Sequence, residues 1–192
     1  MQTQGYAYAY CVSCNAGSEA QLCKDICREL PDAAALYPLF DRKELRRGEW
    51  SLRPRPLVPG YVFVYTQERV DAAALYRCER ANRVLSYGRC NGEAEHALQG
   101  ADLAFAQWVY ENNGHLGVSQ AVMVGDEAKI IAGPLASYQG EILKINRKKH
   151  CALVSISVGD TAKEIWLALE WMAPKAGVLE GYKLETGSVP KP

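Results

Sequence analysis

The feature that most constrains the fold is a change of pattern near residue 112. Before it, segments with strand spacing alternate with segments of helical spacing. After it, short β-rich runs follow one another with no helix-length stripe between them; they lie near 128–132, 141–147, 151–158 and 163–170. Short strands at such close spacing are typical of a small β-barrel. The sequence therefore predicts two modules of different structural class.

The boundary between these modules has the composition of a linker. The stretch ENNGHLGVSQ contains two glycines and two asparagines and few apolar residues. The end of the chain, PKAGVLEGYKLETGSVPKP, shows no periodicity. We therefore predict a first domain at 1–111, a flexible linker at 112–121, a barrel domain at 122–173 and a flexible tail at 174–192.

The first domain is predicted to be an α+β sandwich. Residues 6–14 alternate aromatic and small side chains as a strand does, and a helix follows, with Ser18 as its N-cap and Pro31 at its end. Two further segments, 69–81 and 93–110, have helical spacing. The predicted order β-α-β-β-α-β-α is that of an antiparallel sheet flanked by helices.

Four cysteines within seventeen residues raise the question of a zinc site. Cys23 and Cys27 fall on the apolar stripe of the first helix, where a free thiol packs as a small hydrophobic group. Cys11 and Cys14 are three apart in a strand, so that a regular pleat points them to opposite faces. A zinc site needs its thiolates to converge. The spacing therefore favours packing, and we predict neither a metal nor a cofactor.

Composition excludes several classes. Lys plus Arg and Asp plus Glu number 22 each, so no global charge marks a nucleic-acid binder. No apolar run approaches the roughly 20 residues of a membrane span, and the start lacks the pattern of a signal peptide. Seven cysteines, an odd number, indicate free thiols in a reducing cytoplasm. We expect a cytoplasmic protein that does not bind membranes.

Catalysis is not expected either. The three histidines, His96, His115 and His150, fall in a helix, a linker and a turn, and the sequence contains no nucleophile elbow and no phosphate-binding glycine loop. Thiol redox chemistry at Cys11 and Cys14 is the one enzymatic alternative.

Two stretches together resemble the NusG/RfaH family of transcription elongation factors. LVPGYVFVYT is similar to the FPGYVFV strand of the family's amino-terminal, NGN-type domain. VGDEAKIIAGPLASYQGEILKINRKK resembles the KOW motif of its carboxy-terminal domain, with a Gly-Asp opening, a GP turn and Gly140 before an apolar strand. The resemblance covers about residues 6–172. It implies an NGN-type sandwich linked to a KOW β-barrel, in a monomer that binds RNA polymerase and suppresses pausing and termination.

The compact hairpin tip RKELRRGEW is similar to that of specialised, LoaP-like paralogues, which serve long biosynthetic operons. A general, housekeeping NusG factor remains an alternative. A second alternative is a KOW-type RNA- or ribosome-binding module that makes no contact with polymerase.

The resemblance implies a polymerase-binding surface on the strand entered through Pro59 and Gly60. In the family, an apolar depression of the first domain docks on the clamp helices of RNA polymerase, and Tyr61 and Phe63 occupy the matching positions. Being two residues apart, they share a strand face. An exposed pair would form a partner site. The alternative is that both aromatic side chains belong to the core.

The resemblance also implies contact with a nucleic-acid hairpin, either RNA or non-template DNA. The matching cations are Lys24, Arg28, Arg77, Arg80 and Arg83. The alternative is a solvated surface paired with neighbouring acids. Two more basic clusters, at 42–47 and 147–149, are interpreted as turns with solvated side chains, although contact with phosphates is an alternative for both.

In relatives, the barrel binds a small-subunit ribosomal protein or termination factor Rho. Leu135 of the GP turn and Ile156 are the matching candidates for such a contact. For Ile156 in particular, the alternative is a place in the barrel core.

Overall fold

The computed structural model describes residues 5–90, 93–159 and 161–173. Within these ranges it does not describe seven side chains, including those of the hairpin-tip cations Lys43 and Arg46. The tail predicted at 174–192 lies outside the described residues.

The first module is built from three helices and nine strands among the described residues. The helices are α1 (Glu19–Glu29), α2 (Ala72–Tyr76) and α3 (Gly100–Glu111). The strands are β1 (Tyr8–Ser13), β2 (Ala34–Leu36), β3 (Leu39–Arg46), β4 (Glu49–Pro56), β5 (Tyr61–Thr66), β6 (Arg83–Val84), β7 (Arg89–Cys90), β8 (Glu93–Ala94) and β9 (His115–Leu116).

An antiparallel sheet in the order β2-β5-β1-β6 is the centre of this module. Because side chains alternate along each strand, the sheet has two apolar faces. One face, with Val62 and Val64, packs against Leu22 and Ile26 of α1. The other face, with Phe63, packs beneath α3. The predicted sandwich is confirmed, and Val62 and Val64 lie in its core.

The turn into β5 is fixed by a buried carboxylate. Gly60 has a φ of +83°, and a Cβ there would lie 2.9 Å from the carbonyl oxygen of Cys14. Its N–H donates to Glu19 Oε1 at 2.7 Å, while the N–H of Gly17 donates to Glu19 Oε2 at 2.7 Å. Glu19, the first residue of α1, thus joins two loops to the helix. Ser18 takes the predicted N-cap position, but its side chain makes no cap hydrogen bond.

The second module is made of strands and one 3-10 turn, at Pro134–Ala136. Its strands are β10 (Ser119–Val124), β11 (Glu127–Ala132), β12 (Ile142–Asn146), β13 (Cys151–Val158) and β14 (Thr161–Trp171). They are hydrogen-bonded in the order β11-β10-β14-β13-β12. Alternate residues of β13, among them Val154 and Ile156, are buried inside. The α+β class with a small carboxy-terminal β-module is confirmed.

Helix α3 lies between the two modules. Phe105 packs on Phe63 of the sheet with ring centroids 5.5 Å apart, and the Tyr65 hydroxyl donates to the Ala106 carbonyl at 2.8 Å. On the barrel side, Trp108 Nε1 donates to the Pro134 carbonyl at 2.7 Å, and the Trp108 ring lies 4.6 Å from that of Tyr138. The helix is therefore buried on both sides.

A carboxylate makes a second link between the modules. Asp102, on α3, accepts from the Tyr87 hydroxyl at 2.5 Å and from the Gly159 N–H at 2.7 Å. Gly159 lies in the turn between β13 and β14, where a Cβ would come within 3.2 Å of Leu85. Burial, and next the hydrogen bond to Asp102, raise the pKa of Tyr87.

Several element boundaries differ from the prediction. The second helix is confined to 72–76, where Asp71 caps it by accepting the Ala73 N–H at 2.9 Å. The third begins only at Gly100, because residues 93–94 pair with 89–90 as a short hairpin. The range 112–121, predicted as a flexible linker, contains β9, which pairs with β3, and the start of β10. Backbone pairing therefore gives regular structure to two parts of the range that was predicted as a linker.

The four early cysteines do not converge. Cys11 lies in the cluster beneath α3 and Cys14 in the cluster beneath α1, as the pleat predicts. Cys27 is exposed. Burial raises the pKa of Cys11 and raises that of Cys23 to about 12, so neither is a reactive thiolate near neutral pH. Within the described part of the chain, no three His, Cys, Asp or Glu side chains are grouped as metal ligands.

The helices that the structure describes include none that is both long enough and apolar enough to span a bilayer.

The Gly60 turn gives a first prediction. Gly60→Ala should lower the free energy of unfolding by about 2–4 kcal/mol, because it combines a strained φ with a clash against backbone. Gly48→Ala is the matched control, since Gly48 has a φ of +85° but open space around it. Urea denaturation of both variants measures the difference. Equal losses would contradict a close approach at Gly60.

Candidate interaction surfaces

The predicted polymerase-binding strand is only partly at the surface. Pro59 is exposed and Tyr61 is half-buried, but Phe63 is fully enclosed. The expectation of an exposed aromatic pair is therefore wrong for Phe63. The reason is that α3 crosses this face and sets Phe105 against Phe63. What remains at the surface is the turn and one aromatic side chain.

Sequence reasoning missed the residue that holds this turn. Glu19 is only 3% exposed and both of its carboxylate oxygens are occupied by backbone N–H groups. A buried carboxylate is tolerated only when it is hydrogen-bonded in this way. The only signal in the sequence was a glutamate in the first turn of α1. Acidic residues are common at that position because they interact favourably with the helix dipole, so the glutamate alone did not indicate a contact with the Gly60 turn.

Three of the five predicted nucleic-acid-binding cations are paired with acids. Asp25 of α1 accepts from Arg28 at 3.0 Å and from Arg80 at 2.5 Å. Glu29 accepts from Arg77 at 2.5 Å. Arg77 and Arg80 therefore reach back from the α2 region to α1, as the paired alternative predicts. Since both carboxylates neutralise charge locally, this surface attracts phosphates less than its arginines alone suggest.

The two remaining cations differ from these three. Lys24 and Arg83 are exposed, and neither forms an ion pair with any residue that the structure describes. They are the members of the set whose charge is available to a ligand.

Asp25 supplies the negative charge at the centre of the contact between α1 and the α2 region, where it accepts from both Arg28 and Arg80. It is 3% exposed, and the hydrogen bond from Arg80 is the main cause that holds its pKa below the ordinary value of 3.8. Because the pKa of Asp25 is lower in the folded state than in the unfolded state, the ionised carboxylate stabilises the fold at pH values above the unfolded-state pKa. This contribution is lost as the pH falls through the folded-state pKa.

The two residues predicted as partner contacts of the barrel are both buried. Leu135 is 3% exposed and Ile156 is 2% exposed, and both belong to the apolar cluster shared with α3. Leu135 is held inward because its N–H donates to Ser119 Oγ at 3.0 Å. Ile156 points inward in the alternation of β13. The exposed large apolar residues of the barrel are instead Leu143 and Trp166.

Comparison with known proteins gives one family match. Residues 124–157 match the KOW motif, which covers β11 to β13 and the turns between them. No curated protein sequence matches the chain. Among solved structures, the chain is similar to one described as "Domain interaction in Thermotoga maritima NusG", with 18% identity over 84% of this chain and 93% of that chain, and a TM-score of 0.46.

The Asp25 contacts give a second prediction. Asp25→Asn should lower the free energy of unfolding at pH 7, and the difference from the wild type should shrink as the pH falls below 3.8 and the wild-type carboxylate takes up its proton. Urea titrations of both proteins at each pH measure this. Asp126→Asn, in an exposed turn, is the control. A difference that does not change with pH would show that the carboxylate's charge contributes nothing.

Proposed function

We propose that the protein is a transcription elongation factor of the NusG type, which binds RNA polymerase through its first module and suppresses pausing and termination. Within that type, we propose a specialised, LoaP-like antitermination factor. Its role is binding rather than catalysis, in the cytoplasm where transcription takes place.

The observation that carries this proposal is the KOW match at 124–157, in a barrel that follows an α+β sandwich. The resemblance of LVPGYVFVYT to the family's polymerase-binding strand adds to it. That stretch forms a turn held by Glu19 and then a central strand, so its geometry is fixed before any partner arrives. A preformed site loses little entropy on binding.

The proposed polymerase contact is made by Pro59 and Tyr61. Pro59 is exposed, and Tyr61 presents part of its ring while packing on the apolar cluster below. Gly60 sets the turn, and Phe63 supports Tyr61 from inside the sheet rather than touching the partner. An aromatic side chain anchored in this way can contribute strongly to an interface.

The proposed mechanism is that of a tether. A factor that prefers the closed, elongating clamp over the open, paused state shifts the balance between them by its difference in affinity. A preference of about 1.4 kcal/mol is enough for a tenfold shift.

We further propose that Lys24 and Arg83 contact the phosphates of a nucleic-acid hairpin and recruit the factor to its target operon. Their exposure and lack of acidic partners within the described residues support this choice over Arg80. A partner of the barrel, such as a small-subunit ribosomal protein or Rho, would have to use exposed residues such as Leu143.

Retention of bacterial core RNA polymerase on the immobilised protein tests the polymerase contact. The wild type should retain polymerase, and Tyr61→Ser should weaken the interaction about tenfold because it removes the exposed aromatic anchor. Phe63→Ala is unsuitable, since emptying this buried site should cost about 3–5 kcal/mol of stability.

Leu103→Ala, which truncates an exposed apolar residue on α3, is the control and should retain polymerase fully. Circular dichroism confirms that each variant is folded. If the wild type retains ribosomes but no polymerase, the proposal fails and the KOW-type ribosome-binding alternative takes its place. Equal retention by Tyr61→Ser would remove Tyr61 from the interface.

Transcription in vitro through a terminator tests the recruitment step. With the leader of the operon that encodes the protein, readthrough should exceed that on a scrambled leader. Lys24→Gln plus Arg83→Gln should remove this difference without affecting polymerase retention, because only phosphate contacts are lost. The double variant Arg53→Gln plus Lys144→Gln carries the same charge change elsewhere and is the control. Readthrough that is independent of the leader would select the general, housekeeping factor.

A further inference from the structure

We propose that a groove between the β3–β4 hairpin and the barrel binds single-stranded nucleic acid, with Trp166 as the platform on which a base stacks. This inference goes beyond the proposed function and does not rest on it, since the groove involves neither Tyr61 nor the α1–α2 surface.

The groove has a volume of about 940 Å³ and is lined by three separate segments. Its principal lining residues are Phe40 and Arg42 of β3, Lys148 and Lys149 of the β12–β13 turn, and Lys163 and Trp166 of β14. A cavity of this volume lies near the upper end of the range for sites of drug-sized ligands. It therefore has room for more than a single base.

The charge of the groove is positive although the whole chain is neutral. The four cations Arg42, Lys148, Lys149 and Lys163 line it against two carboxylates, Asp41 and Glu164. All four cations are exposed. Asp41 is already engaged, since its Oδ1 lies 2.9 Å from His115 Nε2. A local excess of cations facing solvent is what a phosphate backbone requires.

Two of these cations are presented by a well-defined turn. The Lys149 N–H donates to Asn146 Oδ1 at 2.9 Å, and the carbonyl of His150 accepts the Leu169 N–H at 2.8 Å. His150 itself has a φ of +53°, which gives the turn its tight shape. Lys148 and Lys149 are thus held next to β14 rather than on a long free loop.

The aromatic component is Trp166, whose side chain is 43% exposed. It lies on the outer face of β14 between the inward-facing Ile165 and Leu167, and it is paired across the sheet with Leu153. β14 is hydrogen-bonded to β13 through this stretch and to β10 from Leu169 onward, so the indole is carried on a well-anchored strand. An exposed indole beside a row of cations is the combination that single-strand binders use, because every base has a face that can stack.

This combination favours an unpaired strand over other polyanions. In a duplex the base faces are covered by their neighbours, so Trp166 could not stack on them. An acidic peptide would satisfy the lysines but would leave the indole without a stacking partner. Single-stranded nucleic acid uses both features of the groove.

Fluorescence anisotropy with the full chain and labelled 12-mers of oligouridylate, oligodeoxythymidylate and a duplex tests the proposal. Both single strands should bind more tightly than the duplex, and a preference for one of them identifies RNA or DNA as the natural source. Trp166→Ala should weaken binding about 5- to 100-fold, and Trp166→Phe by much less, because a phenyl ring still stacks. The logarithmic salt dependence should have a slope of about −2 to −3, corresponding to three or four phosphate contacts.

Two matched controls separate the groove from general surface effects. Leu143→Ala truncates another exposed apolar residue of the barrel outside the groove lining and should leave affinity unchanged. Lys144→Gln, also outside the lining, should lower affinity less than Lys163→Gln does. Equal affinity for duplex and single strand, wild-type affinity of Trp166→Ala, or no binding at low salt would each overturn the proposal. None of these results bears on polymerase retention.

Discussion

The structure depends on one helix that is buried on both sides. Phe105 of α3 covers the central sheet, while Trp108 of the same helix packs on Tyr138 and donates to the Pro134 carbonyl of the barrel. Asp102 adds a hydrogen bond to the turn at Gly159. Domains in one chain move relative to each other unless their interface is large and apolar. Here a continuous apolar cluster runs from the sheet through α3 into the barrel.

This arrangement decides which residues are available to partners. Phe63 and Ile156 were predicted as contacts from their motifs, yet each lies in the cluster that α3 organises. Tyr61 remains accessible because it lies at the margin of this cluster, and Trp166 because it lies on the outer face of β14. Because the apolar faces are buried, the surfaces available for binding are turns, strand edges and the groove beside the hairpin.

Local patterns were sufficient to predict the sandwich, the strand entered through Pro59 and Gly60, and the small β-module, since alternation and turn residues are short-range signals. They could not show that Phe63 is covered, because the covering residue lies on a helix far along the chain. The pairing of Arg77 and Arg80 with acids of α1 depends on tertiary contact in the same way. The groove could not be predicted from local patterns either, because its three segments meet only in the folded protein.

The most direct test of this account is ¹⁵N relaxation of the backbone amides in the intact protein. If α3 joins sheet and barrel as described, amides of β5 and of β13 should report a single rotational correlation time, that of one body of 21.2 kDa. Two different and shorter correlation times, one for each module, would show that the modules tumble independently. That result would contradict the shared helix as the element on which the structure depends.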